Sequence, residues 1–151
     1  MKKLALFLLG VYVIVATWLA IPTVGIMLED DNKSLLALNA GGSDEQWEFL
    51  KDIAKFIDFA DMAGYKLSAG EMYRTMHQQR YYVAHGLSKT FNSKHLKRRA
   101  FDFNLFIDNK YVTDCGSYEP LALYWESLSP KNSAGALWKS FKDCGHIQRS
   151  N

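Results

Sequence analysis

The chain predicts a small α+β domain, an antiparallel sheet with flanking helices, preceded by an N-terminal transmembrane helix. Three patterns carry that expectation: a charge-free apolar run over residues 4–28, apolar stripes at helical period over 47–63, and strict alternation over 100–107. The apolar run is a separate object. As a helix it would extend roughly 37 Å, enough to cross a hydrocarbon layer of ~30 Å. Lys2 and Lys3 precede it and Glu29, Asp30 and Asp31 follow, so the positive-inside rule leaves the N-terminus in the cytoplasm and the rest outside. A cleaved signal peptide is the rival, but a site ending at Ala20 would put Trp18 at a position that wants a small residue. The expected division is a signal anchor over 1–30, a linker over 31–43 and one domain over 44–151. That places the chain in the inner membrane with its domain in the periplasm or otherwise outside, secretion after signal cleavage being the alternative.

Of the 151 residues, 48% are apolar and only three are proline, so a packed core is feasible. The net charge of +2 comes from Lys2 and Lys3, because eighteen basic residues less those two equal the sixteen acidic ones. A neutral body lacks the basic face that a nucleic-acid partner requires. Two cysteines, Cys115 and Cys144, are too few for a disulfide framework or an all-cysteine zinc site.

Within the domain, Ser43 and Gln46 have capping-box spacing and open a helix. Trp47, Leu50, Ala54 and Ile57 form one apolar stripe on it, and Phe49, Ile53, Phe56, Ala60 and Ala63 form an adjoining one. Gly64 supplies a left-handed stop, and Tyr65, Lys66 and Leu67 suit a short strand. Thr75 and Gln78 repeat the capping spacing for a helix over 76–85, closed by Gly86. Over 100–107, Phe101, Phe103, Leu105 and Ile107 face one way, opposite Ala100, Asp102, Asn104 and Phe106. Asp108-Asn109 then suits a tight turn into a partner strand over 110–113. Pro120, at a first-turn position, starts a helix carrying Leu121, Trp125 and Leu128, ended by Ser129-Pro130.

Asp102 carries the first chemical signal. It sits among phenylalanines, where an isolated carboxylate is costly to bury, and His95 lies in the polar loop just before its strand. A metal would remove that cost. Zinc takes nitrogen and oxygen ligands, three from protein plus one water in a catalytic site, and His146 can supply the third. Asp143, three residues before His146, could then serve as general base. Each residue also has an ordinary reading. A loop histidine is usually surface, an aspartate on the polar face of a strand needs no metal, and Asp143 suits a turn before Gly145. His77 and His85 have no partner at useful spacing.

The run Ser93-Lys94-His95-Leu96-Lys97-Arg98-Arg99-Ala100-Phe101-Asp102 matches the S-x-H-x-x-x-x-A-x-D signature, and Asp143-Cys144-Gly145-His146 matches a closing D-x-x-H. Between and before them lie Tyr73-Arg74-Thr75 with Gln78-Gln79, Asn104-Leu105-Phe106, Pro120-Leu121 and Trp125-Glu126-Ser127-Leu128. In this order, over about residues 47–148, the chain resembles the zinc D,D-carboxypeptidase and L-alanyl-D-glutamate endopeptidase superfamily. That group is VanY-like and includes the peptidase-type phage endolysins. The resemblance implies a Zn²⁺ cofactor held by His95, Asp102 and His146, with Asp143 as catalytic base. It implies that Arg74 contacts substrate and steadies the developing oxyanion, and that Ser93 helps hold the substrate or its own loop. The implied activity is hydrolysis of peptidoglycan stem peptides in bacterial lysis, most closely at the L-Ala–D-Glu bond. A D-Ala-D-Ala carboxypeptidase and a non-catalytic wall-binding module of the same fold are the alternatives.

The chain departs from the pattern in places. Arg98 stands where a glycine is usual between the first two ligands, Leu121-Ala122 replaces L-G, and Leu137-Trp138-Lys139-Ser140-Phe141 replaces W-G-G-x-F. Ile147 follows the last histidine in place of an aromatic. No ligand is lost. Cys144 beside the site is unusual; free thiols are the preferred reading, and a Cys115–Cys144 disulfide is allowed outside the cytoplasm. Lys94, Lys97, Arg98 and Arg99 around His95 read first as a solvated loop, with attraction of stem-peptide carboxylates as the rival.

Overall fold

The computed structural model describes residues 42–150. The anchor expected over 1–30 and the linker residues 31–41 lie outside the described residues. Among the described residues, no helix is long and apolar enough to cross a membrane.

Helix α1 spans Ser43–Met62 and buries Phe49, Ile53, Phe56 and Ala60, the spacing of one helical face. The adjoining stripe does not go inside. Trp47, Leu50, Ala54 and Ile57 face outward, with Trp47 61% exposed. Nor does the expected capping box form. Gly42 is the N-cap with no side-chain bond, and Gln46 donates instead to the carbonyl of Lys97 at 3.1 Å. That acceptor lies 51 residues away in sequence and ties α1 to the loop that carries His95. Gly64, with φ +79°, ends the helix turn as expected.

Strand β1, Lys66–Ala69, leads to α2, Met76–Ala84, where the Thr75 hydroxyl accepts from the Gln78 amide at 3.2 Å. β2 occupies Ala100–Ile107 and β3 Lys110–Val112; Asp108 and Asn109 between them both take positive φ, as a two-residue hairpin turn demands. Helix α3 begins earlier than expected, at Cys115, and runs to Leu128. Asp114 caps it by accepting from Ser117 at 2.9 Å, which places Pro120 inside the helix and not in its first turn. A strong cap at the N-terminus outweighs the single backbone bond that Pro120 removes. Two further strands, β4 over Asn132–Ala134 and β5 over His146–Arg149, were not foreseen.

The sheet runs β1-β2-β5-β4, with β3 also on β2, and every pairing is antiparallel. One face carries Phe101, Phe103 and Leu105 into a core shared with α1 and α3. Trp125, fully buried, meets Phe49 and Phe56 edge-on at 5.6 and 5.9 Å. The other face is left for Asp102. Cys115 and Cys144 pair as a disulfide, contrary to the free-thiol reading, because the fold brings their Cα atoms to 4.9 Å. The bond ties the start of α3 to the loop that holds Asp143.

A buried polar cluster fixes the last strand. Arg149 donates to Asp52 at 2.8 Å and to Asn132 at 3.2 Å, while Asn132 donates to Asp52 at 3.1 Å. All three residues are buried. Arg149→Ala leaves Asp52 with Asn132 and the more exposed Lys55 as partners, so it is expected to cost about 1–3 kcal/mol of unfolding free energy. Denaturant titration checks this; a loss under about 1 kcal/mol would show that the cluster is dispensable.

Candidate active site

His95 is carried by a single 3₁₀ turn, Lys94–Lys97, that closes the loop between α2 and β2. The Ser93 hydroxyl accepts from the His95 amide at 3.3 Å, capping that turn. Arg98 ends it in the left-handed region, φ 51° and ψ 41°. Glycine takes that conformation without strain, which accounts for the glycine of the resembled pattern at this position. Here the Arg98 guanidinium lies 4.2 Å from the Tyr73 ring, a contact that offsets the strain. The chain then enters β2, where Asp102 points away from the Phe101 and Phe103 core.

Register completes the triad. In the antiparallel pair of β2 and β5, Asp102 stands directly opposite His146, so both side chains leave one face as neighbours. Nδ1 of His146 lies 2.8 Å, and Nε2 of His95 3.3 Å, from the same Asp102 oxygen. One ligand atom from each of the three residues falls within 4.8 Å of the others, which makes them a group that could hold a metal ion. His95 and His146 are buried and Asp102 half-buried.

The donor set fits a cation. Nε2 of His146 lies 3.2 Å from the Gln148 side-chain oxygen, so that nitrogen carries the proton. In a neutral ring Nδ1 then turns a lone pair toward the Asp102 carboxylate at 2.8 Å, which is repulsive unless a proton or a metal lies between them. Without metal, a proton fills the role. Burial works against the charged ring, but the hydrogen bond and charge of Asp102 outweigh it and raise the His146 pKa. Burial likewise opposes ionised Asp102, yet the hydrogen bonds from His146 and His95 hold that carboxyl well below the usual range. Nδ1 of His95 is buried with no hydrogen-bond partner among the described residues.

Asp143, Arg74 and Ser93 line the same cavity as the triad, a space of about 320 Å³. Asp143 is anchored by its backbone. Its amide donates to Gly135 at 3.2 Å and its carbonyl accepts from His146 at 3.1 Å. The loop passes so close that a side chain at Gly135 would run into the Asp143 carbonyl. Burial pushes the Asp143 carboxyl above the ordinary aspartate value; Asp102 adds to the rise, while His146, His95 and Arg74 oppose it. A second cavity of about 410 Å³, lined by Tyr111, Thr113 and Lys142 among others, shares Asp102 and Asp143 with the first. All five residues singled out from sequence and resemblance as metal or catalytic groups therefore meet at one place, and Ser93 joins them. His85 instead bonds the Tyr81 carbonyl at 2.8 Å and stacks on its ring, outside the site.

Three residues act in a supporting role that the sequence does not assign them. Glu71 accepts from Nε of Arg74 at 2.8 Å and also contacts Nη2, while Gln79 accepts from Nη1 at 2.8 Å. A guanidinium has five N–H donors, so two remain free for a ligand. Gln79, fully buried, donates onward to Ser88 at 2.8 Å and Thr90 at 2.5 Å and so ties Arg74 to the cavity wall. Gln148 is the third, through its bond to His146. Only the position of Gln79 within the Tyr73-Arg74-Thr75 motif block could have flagged any of them.

No protein-family model matches the chain, and no curated protein matches it. Among solved structures, the chain is similar to the crystal structure of the Serratia marcescens L-Ala D-Glu endopeptidase ChiX, at 27% sequence identity with a TM-score of 0.49. That match covers 56% of this chain and 66% of the ChiX chain, so the chain spans just under two thirds of its length.

Proposed function

We propose that the chain is a zinc-dependent peptidase that hydrolyses peptidoglycan stem peptides between L-Ala and D-Glu. The observation that carries this is the meeting of His95, Asp102 and His146 within 4.8 Å, in one cavity with Asp143 and Arg74. Two imidazoles and one carboxylate are a zinc donor set, and three ligands leave a coordination position open. Zinc held there would supply Lewis acidity to the scissile carbonyl and to an attacking water. Asp143, ionised, takes the proton of that water and returns it to the departing amine. Arg74, immobilised by Glu71 and Gln79, turns its two remaining N–H groups to the oxygen on which charge develops. The disulfide suits an oxidising exterior. The place outside the inner membrane rests on sequence alone, on the charge-free run behind Lys2 and Lys3.

The choice of an internal bond rests on the two cavities that share Asp102 and Asp143. A substrate can extend both ways from the reacting carbonyl, as a polymer needs, whereas a carboxypeptidase closes one side around a chain terminus. Mass analysis of digested peptidoglycan tests this. New amino groups on D-Glu are expected, and release of free D-Ala alone would show a carboxypeptidase.

A further inference from the structure

The cations of the first cavity are unequally employed. Arg74 is held by Glu71 and Gln79. Lys89, on the outer wall, rests its ammonium 4.4 Å from the Phe141 ring. Lys94 lines the cavity half-buried, yet among the described residues its ammonium has no hydrogen bond and no carboxylate partner. A cation that lines the cavity without a carboxylate partner is open to an anion supplied by the ligand. The turn that bears Lys94 also bears His95, so its side chain starts one residue from the metal group. An anion that reaches it belongs to an atom close to the scissile bond.

We propose that Lys94 is a specificity-determining residue that binds the free α-carboxylate of the D-glutamyl residue next to the cleaved bond. The inference rests on the peptidase reading and deepens it. Covalent structure makes the match: in a stem peptide D-Glu continues the chain through its γ-carboxyl group. Its α-carboxylate therefore stays free, on the very carbon that bears the scissile nitrogen. Cleavage thus presents a negative charge two bonds from the departing nitrogen. Amidation of that carboxylate, which gives isoglutamine, keeps the shape and removes the charge. Lys94 therefore separates the two kinds of wall peptide. Arg74 does not duplicate the role, because its two remaining N–H groups serve the oxygen on which charge develops.

The test compares synthetic stem peptides with free and amidated α-carboxylate, and a third amidated only at its C-terminus, as substrates of the zinc-loaded full-length protein. Wild type is expected to prefer the free α-carboxylate by about tenfold in kcat/KM, mostly through KM, the effect of one charge-assisted hydrogen bond. C-terminal amidation is expected to leave the rate unchanged. Lys94→Met keeps the aliphatic stem and should cut both α-forms at the amide rate, whereas Lys94→Arg should restore the preference. Lys97→Met, on the same turn but outside the cavity, should behave as wild type. Equal wild-type rates on the two α-forms, or an undiminished preference in Lys94→Met, would overturn the assignment while leaving the peptidase intact. If wild type cuts none of the peptides, the peptidase reading falls and this inference with it.

Discussion

His95→Ala, Asp102→Ala and His146→Ala are each expected to abolish hydrolysis and to strip the protein of metal. Each removes one of three groups whose ligand atoms lie within 4.8 Å, and two ligands do not retain zinc at a site with an open position. The effect should be graded by distance from the metal group. Gln148→Ala, which removes only the group that fixes the His146 tautomer, should weaken metal binding by about 10–100-fold. The three ligand variants should weaken it further. Metal analysis of the purified variants checks the order, and a ligand variant that keeps a full equivalent of metal would remove that residue from the site.

Asp143→Asn is expected to keep the metal and lose about 10²–10⁴-fold in turnover, because it deletes a base without deleting a ligand. The amide is nearly isosteric, and the backbone bonds that hold residue 143 to Gly135 and His146 are unaffected, so the loop should stay in place. Single-turnover rates on wall peptide, alongside metal content, separate this outcome from loss of the site. Turnover at the wild-type rate would move the base elsewhere. Glu71, the next carboxylate, is a poor substitute: it is engaged by Arg74 and does not line the cavity.

Legibility in the sequence followed the range of the interactions involved. β2 could be read residue by residue, because alternation over Phe101, Phe103 and Leu105 is a local pattern that the core then rewards. The Thr75 cap and the Asp108-Asn109 turn were equally local. Partners from far along the chain undid other readings. Gln46 prefers the Lys97 carbonyl to its own helix terminus, and Asp114 overrides Pro120 as the start of α3. β5 is four residues long and carries no alternation of its own, so the pairing of Asp102 with His146 could not be derived from the residues. The ordered motif blocks implied that meeting, and the register supplies its physical reason. The buried cluster of Asp52, Asn132 and Arg149 has no sequence signature, since its members lie up to 97 residues apart. The same holds for the disulfide, 29 residues apart.

One bound metal, held by His95, Asp102 and His146, should be required for cleavage of wall peptide. Metal content and peptidase activity measured on one preparation, before and after chelation and again after zinc is returned, test it most directly. One metal per chain is expected, with loss of activity in step with its removal and recovery with zinc. A metal-free protein that still cuts the peptide at its original rate would contradict it.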